Sequence, residues 1–227
     1  MEQGQPVCAL ESSEISVRRA SSANEYREAT SLVQEMYSRR GYLTDSVGDM
    51  TRDEDTVTID AYGAHQVMGT LTVRMDSPQG LLADQLYAEE INEFRAAGSQ
   101  VCEMSKLAVD PQFGSKELMA SLIQLAYLYA HVVYGSSRLV IEVNPRHAGF
   151  YKRMLGFREA GERRTCPRVN APAVLLQIEL EYMRSQIAQH GGRGYCAGER
   201  TLYPYFLNCG AEEWIDRARG GVVGSVH

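Results

Sequence analysis

Residues 101–143 read VCEMSKLAVDPQFGSKELMASLIQLAYLYAHVVYGSSRLVIEV, and the fold turns on how they are parsed. Val101 to Val109 is a strand-length run that stops at Asp110-Pro111. Proline has no N–H to offer a ladder, and it biases the residue before it away from helical geometry. Lys116 to Tyr134 is strongly apolar all round and closes at Gly135, the pattern of a helix buried between layers. Arg138 to Val143 is again a short apolar strand. A strand, a long helix and a neighbouring strand make a crossover unit, so these two strands should run parallel.

The runs on the N-terminal side pair differently. Thr56 to Ala61 and Val67 to Met75 are two strands with a turn at Gly63 between them, which predicts a hairpin. Ile15 to Ser21 alternates like a strand, and Asn24 is the expected N-cap of a helix that ends at Gly41. Apolar positions Ala29, Leu32, Val33 and Met36 share one face of that helix. Leu81 to Ala97 is helical by period and closes at Gly98. Beyond the crossover, NPRHAGFYKRMLGF (144–157) opens a short helix at Pro145. Phe157 to Glu162 and Ala173 to Glu181 read as two last strands, and Met183 to His190 as a helix. The tail after Gly191 carries glycine clusters and a weak helical pattern near Glu212 to Arg219. The expected class is α/β (α+β): a mixed, mostly antiparallel central sheet with helices on both faces. One domain spans residues 1–190, and residues 191–227 form a C-terminal extension. Ligands of such sheets sit outside the strand ends, where the strand order splits.

Composition narrows the function classes. The chain has 227 residues, 44% of them hydrophobic, enough for a substantial core. No apolar run reaches the roughly 18 residues that a membrane span needs. The N-terminal MEQGQPVCALESSEISV lacks a basic start followed by an apolar stretch, so no signal peptide is expected. The five cysteines are scattered without a C-x-x-C pair, which argues against zinc and against a disulfide framework. A reduced, cytoplasmic setting follows. A net charge of −6 argues against general nucleic-acid binding. Between Arg138 and Arg168, however, eight basic residues face three acidic ones. This is either a solvated face or a dock for an anionic partner such as an acidic carrier protein.

Three motifs in order resemble those of the GNAT acyltransferase superfamily. Glu103-x-Ser105-Lys106-Leu107-x-Val109-Asp110 is similar to the E-x-S-R-F-x-V-D strand of acyl-homoserine-lactone synthases. Gly69-Thr70-Leu71-x-x-Arg74 is similar to the G-x-x-R strand of that group. Asn144-Pro145-x-His147-x-x-Phe150-Tyr151, with Gly156-Phe157 after it, resembles a stretch of the N-acyl amino acid synthases. The resemblance runs from about residue 15 to 182 and implies a GNAT-like sheet and acyl transfer. Members that use acetyl-CoA carry a glycine-rich loop that cradles the pyrophosphate at a helix N-terminus. Here DPQFGSKEL has one glycine, Gly114. An acyl carrier protein therefore suits this loop better than acyl-CoA, though both remain open as co-substrate, with no tightly bound cofactor and no metal. Lys106 stands where the lactone synthases have arginine and cannot make a bidentate fork. Trp214 is the only tryptophan, so the tryptophan-bearing N-terminal segment of those synthases is absent. Both points favour an amino acid acceptor over S-adenosylmethionine.

Amide formation from a thioester needs a base for the amine, donors for the oxyanion and an acid for the leaving thiolate. Glu103 is the candidate base, because a carboxyl among apolar strand residues holds its proton more tightly; as a bare residue it could equally be a salt-bridged strand position. Tyr151 is the acid that the resemblance implies, or else a tyrosine packed on the sheet. The N–H groups of Leu107, Ala108 and Val109 would form the oxyanion hole if the strand splays there. Arg74 and Lys106 are candidate clamps for the acceptor carboxylate, with Ser105 and Asn144 beside them in the motifs. His147 either orients the donor or caps the helix after Pro145. Lys152 and Arg153 would face the carrier. Leu122, Leu125, Tyr127, Leu128 and Tyr129 could line an acyl tunnel, although helical periodicity makes them ordinary core. The readings left are an N-acyl amino acid synthase, a lactone synthase, and a non-catalytic GNAT-fold module that binds acyl carriers or amino acids.

Overall fold

The computed structural model describes residues 9–11, 15–42, 50, 52–63, 66–195, 198 and 200–208. In chain order these form strands β1 (Ala9–Glu11) and β2 (Ser16–Arg19), helix α1 (Ala23–Ser38), and strands β3 (Thr56–Tyr62) and β4 (Val67–Met75). Helix α2 (Asp84–Ala96), strand β5 (Val101–Val109), helix α3 (Lys116–Tyr127), strand β6 (Arg138–Val143) and helix α4 (Pro145–Leu155) follow. Strands β7 (Arg158–Glu159), β8 (Arg164–Cys166) and β9 (Ala171–Glu179) lead to helix α5 (Leu180–His190). Among the described residues the strands make one sheet in the order β1-β2-β3-β4-β5-β6-β9-β7, with β8 also paired to β9. Only β5 and β6 run parallel; the other pairs are antiparallel.

Side-chain alternation sorts the strands between two layers. Val57, Ile59, Leu71, Val73, Cys102, Met104, Leu139 and Ile141 pack with residues of α3, α4 and α5 in the main core. Val101, Val140 and Leu175 pack instead against Tyr87 and Ile91 of α2. Ala108 packs against α1 residues including Ala29 and Val33. Helices α1 and α2 therefore share one face, and α3, α4 and α5 the other.

One irregularity positions the site. The parallel pair is short: Val101, Cys102 and Glu103 oppose Arg138, Leu139 and Val140, and the register ends there. Beyond it β5 stays with β4 as far as Val109, while β6 stays with β9 as far as Val143. The two strands part, and a gap opens in the middle of the sheet. On the β5 side the register with β4 shifts between Thr70 and Thr72, and Lys106 takes a left-handed φ of 52°. This is a β-bulge, which bends a strand and changes which face the following side chains meet.

Several local expectations are corrected. The N-cap of α1 is Ser22, not Asn24: Ser22 and Glu25 form a reciprocal capping box, which satisfies two backbone donors where Asn24 would satisfy one. The helix expected over Lys116–Tyr134 is α-helical only to Tyr127 and continues as a π turn, Leu128–Val133. The strand expected over Phe157–Glu162 shrinks to Arg158–Glu159, and a separate strand, Arg164–Cys166, takes over on β9. The weak helix at Glu212–Arg219 lies outside the described residues. After residue 190 the chain returns to the core. Leu202, Tyr203 and Phe206 are buried, Tyr203 Oη donates to the Leu155 carbonyl (2.6 Å), and Gln124 brackets Leu207 with two hydrogen bonds of 2.7 and 2.9 Å.

Candidate active site

A cavity of about 530 Å³ occupies the gap between β5 and β6 and reaches both faces of the sheet. That volume falls in the range of small-molecule sites. From the α1/α2 face it is lined by Thr56, Thr58, Thr72, Arg74, Glu103, Ser105 and Glu142, and from the other by Met104, Met119, Ile141, Val143, Phe150 and Tyr151. One wall is polar and charged, the other apolar and aromatic. The suggested tunnel residues Leu122, Leu125, Tyr127, Leu128 and Tyr129 are core and do not line it.

Glu103 is only 2% exposed. Strand β5 turns it toward the start of α2, where its Oε2 accepts the Ala83 N–H at 3.1 Å. Burial pushes its carboxyl up to about 7; nearby Glu142 pushes the same way, while the Ala83 and Leu82 amides and Arg168 hold it down. A carboxyl with that value changes charge at neutral pH, as a general base must.

Glu142 and Arg168 are cavity residues that the sequence reading did not single out as a site. Arg168, in the turn between β8 and β9, donates Nη2 to Glu142 Oε2 at 2.6 Å and Nη1 to the Leu82 carbonyl at 2.8 Å. The Glu142 side chain is 7% exposed. Cys166, at the end of β8, lines the same corner and is buried.

Tyr151 projects from α4 across the gap. Burial pushes its hydroxyl well above the ordinary tyrosine range, and nearby Tyr37 adds to the shift. It is a neutral phenol at any working pH, held edge-on between Phe150 and Phe157 at centroid distances of 5.3 and 5.8 Å. His147 has its affinity for a proton lowered by burial, then by Arg40 and Arg146, which favours the neutral imidazole. Arg146 Nε donates to its Nε2 at 3.2 Å. The cap of α4 is Asn144, whose Oδ1 accepts the Arg146 N–H at 3.1 Å, so His147 does not cap the helix.

The other sequence-derived residues separate into two groups. Arg74, Ser105, Lys106, Leu107, Val109, Asn144 and His147 all line the cavity with Glu103 and Tyr151. Ala108, Lys152 and Arg153 do not. The Asp110 N–H bonds to the Met68 carbonyl, so strand alternation turns the Ala108 N–H toward β4 and the Val109 N–H toward the gap. Arg74 is bound to Asp53 at 3.1 Å, a partner that lies 21 residues away and was not legible in the motif. Lys152 and Arg153 are exposed on the outer side of α4, where Lys152 pairs with Glu159 at 2.8 Å. Much of the basic excess is internal wiring: Arg138 pairs with Glu179, Arg164 with Glu90 and Arg168 with Glu142. Among the described residues no group of three His, Cys, Asp or Glu side chains is placed to hold a metal ion. No described helix is long and apolar enough to cross a membrane.

A mixed sheet that parts between its two central parallel strands, with a ligand-sized cavity in the parting, is the GNAT-like fold shared with the acyltransferase structures that this chain resembles. Residues 28–179 match the model of the N-acyl amino acid synthase FeeM, and the chain belongs to that family of N-acyltransferases. It is similar to the solved structure of FeeM from uncultured soil microbes, with a TM-score of 0.70 and 28% identity over 77% of this chain and 96% of that one. More distant likeness, of fold alone, extends to an N-acetyltransferase structure from Lactobacillus plantarum described as putative in its name (TM-score 0.54, 15% identity, 74% of this chain and 99% of that one). It extends also to the AHL synthase LasI (TM-score 0.50, 14% identity, 78% and 91%). No curated protein sequence matches the chain.

Proposed function

We propose that this enzyme joins a long-chain fatty acyl group, carried as a thioester on acyl carrier protein, to the α-amine of an amino acid. The observation that carries this reading is the placement of Glu103 and Tyr151 on opposite walls of one cavity where β5 and β6 part. The amino acid enters on the charged α1/α2 side, and the acyl thioester lies against the apolar wall of Met104, Met119, Ile141 and Phe150. Glu103 takes a proton from the ammonium. The freed nitrogen forms its bond to the thioester carbon, and the Val109 N–H meets the oxyanion. The C–S bond breaks, and the thiolate takes the Tyr151 proton, which the second amine proton replaces.

Arg74 and Lys106 hold the acceptor carboxylate, with Arg74 exchanging Asp53 for it. Ser105, Asn144 and His147 bound the acceptor and the thioester without carrying charge. A carrier-bound donor is favoured by the loop before α3, where Gly114 is the sole glycine and the Ser115 hydroxyl already caps the Leu118 N–H at 3.1 Å. Lys152 and Arg153, outside the cavity, suit the acidic surface of such a carrier.

The test is an assay of thiol release by the purified protein with acyl-carrier or acyl-CoA thioester and each amino acid in turn. Thiol should appear only when an amino acid is present, faster from the carrier, with a product mass of fatty acid plus amino acid minus water. Turnover with S-adenosylmethionine, yielding a lactone and methylthioadenosine, would refute the acceptor assignment. Binding of the carrier without thiol release from any acceptor would refute catalysis by this chain of that reaction.

A further inference from the structure

The charged corner behind Glu103 joins three distant parts of the chain. Arg168 comes from the β8–β9 turn, Glu142 from the end of β6, and Leu82 from the lead-in to α2. Nη1 of Arg168 also reaches Gln85 Oε1 at 2.9 Å. The Leu82 carbonyl that Arg168 binds is followed by the peptide N–H, that of Ala83, on which the Glu103 carboxylate rests. Helix α2 has no side-chain cap at its start, and Glu103 supplies a carboxylate there from another strand. Moving the Leu82–Ala83 turn would move the anchor of Glu103.

We propose, building on Glu103 as the base, that Arg168 is its positioning residue: it pins the turn whose amide holds the Glu103 carboxylate, and with Glu142 it sets the charge that this carboxylate feels. The titratable groups that line the cavity on the Glu103 side are Glu142 from β6, Arg168 from the turn, Cys166 from β8, and Arg74, its register partner on β4. Cys102 lies next to it in β5. Arg168 favours the ionised carboxylate and Glu142 opposes it, so the two ends of a single ion pair act on the base with opposite sign. If the pair served stability alone, losing either end would destabilise the fold without moving the Glu103 midpoint in opposite directions.

The experiment titrates the Glu103 carboxyl by infrared difference spectroscopy, its band assigned with Glu103→Gln, in Arg168→Gln, Arg168→Lys and Glu142→Gln, beside kcat/KM as a function of pH. The midpoint should rise by about half a unit or more in Arg168→Gln and fall in Glu142→Gln, while Arg168→Lys, which keeps the charge, stays near the parent. Half a unit corresponds to about a threefold change in the ionised fraction below the midpoint. Midpoints equal to the parent in Arg168→Gln and Glu142→Gln would overturn the proposal. Should Arg168→Gln fail to fold, Glu142→Gln alone decides, since an unmoved or raised midpoint contradicts it. If the spectroscopic midpoints shift as stated but the kinetic limb does not follow them, the role of Glu103 as base fails while the control of its proton by Arg168 stands.

Discussion

In the proposed mechanism Glu103 acquires its role as base from two opposed influences. Burial alone would keep a carboxyl protonated and useless as a base at neutral pH; two backbone amides and a guanidinium draw it back to about 7. The base works only when ionised, so kcat/KM should rise with pH to a plateau above about 7 and fall on the acid side. Glu103→Gln should remove that limb and lower kcat by about 10²–10⁴-fold, the usual contribution of a positioned base, with the circular dichroism unchanged. Folding is linked to the same proton. The folded protein binds it more tightly than the unfolded chain, so this residue's contribution to stability is full below about pH 4.5 and declines up to about pH 7. Glu103 and Tyr151 were drawn out by the motifs that resemble those of acyl-transferring families, since each alone also reads as an ordinary strand carboxyl or a packed tyrosine; the structure places both on one cavity. Arg168 and Glu142 were not drawn out. They meet across 26 residues of sequence, and a charge excess shows only that cations are present, not that half of them are already paired with carboxylates.

At the scale of the element, the deciding feature is the parting of β5 from β6, and a bulge in β5 follows directly on it. VCEMSKLAV carries no glycine, so its continuous strand character gave no mark of the place where the register shifts. Lys106 holds a left-handed φ of 52° that a side chain makes unfavourable by roughly 1–2 kcal/mol. Lys106→Gly should therefore keep or raise the unfolding midpoint in urea. Lys106→Val, β-branched at the same φ, should lower it, and should also lower activity by disturbing the wall of the cavity. Equal stability of the two variants would show that the backbone there is not constrained. The hairpin of β3 and β4, the crossover helix and the cap region of α4 were legible because Gly, Pro and hydrophobic period mark them directly. The π turn after α3 was not, since a helix that is apolar all round gives no phase to detect its change of pitch.

At the scale of the molecule, the C-terminal return is part of the enzyme's core. Phe206 and Tyr203 are fully buried beside α3 and α5, although the glycine-rich stretch before them reads as an appendage. Phe206→Ala should destabilise the whole protein by about 3–5 kcal/mol, read by thermal unfolding, since that is the usual consequence of emptying a buried aromatic site. A change within error would mean that the segment only rests on the surface. In the proposed reaction the sheet joins both halves: the acceptor enters its gap from the charged face and the thioester from the apolar one. The most direct test is mass spectrometry of organic extracts from bacteria expressing this chain or its Glu103→Gln variant. New lipids with the mass of a fatty acid plus an amino acid minus water, present with the parent and absent with Glu103→Gln, are the predicted result. The same lipids at the same level from both would contradict the account, because amide formation would then not depend on the carboxyl at the strand gap.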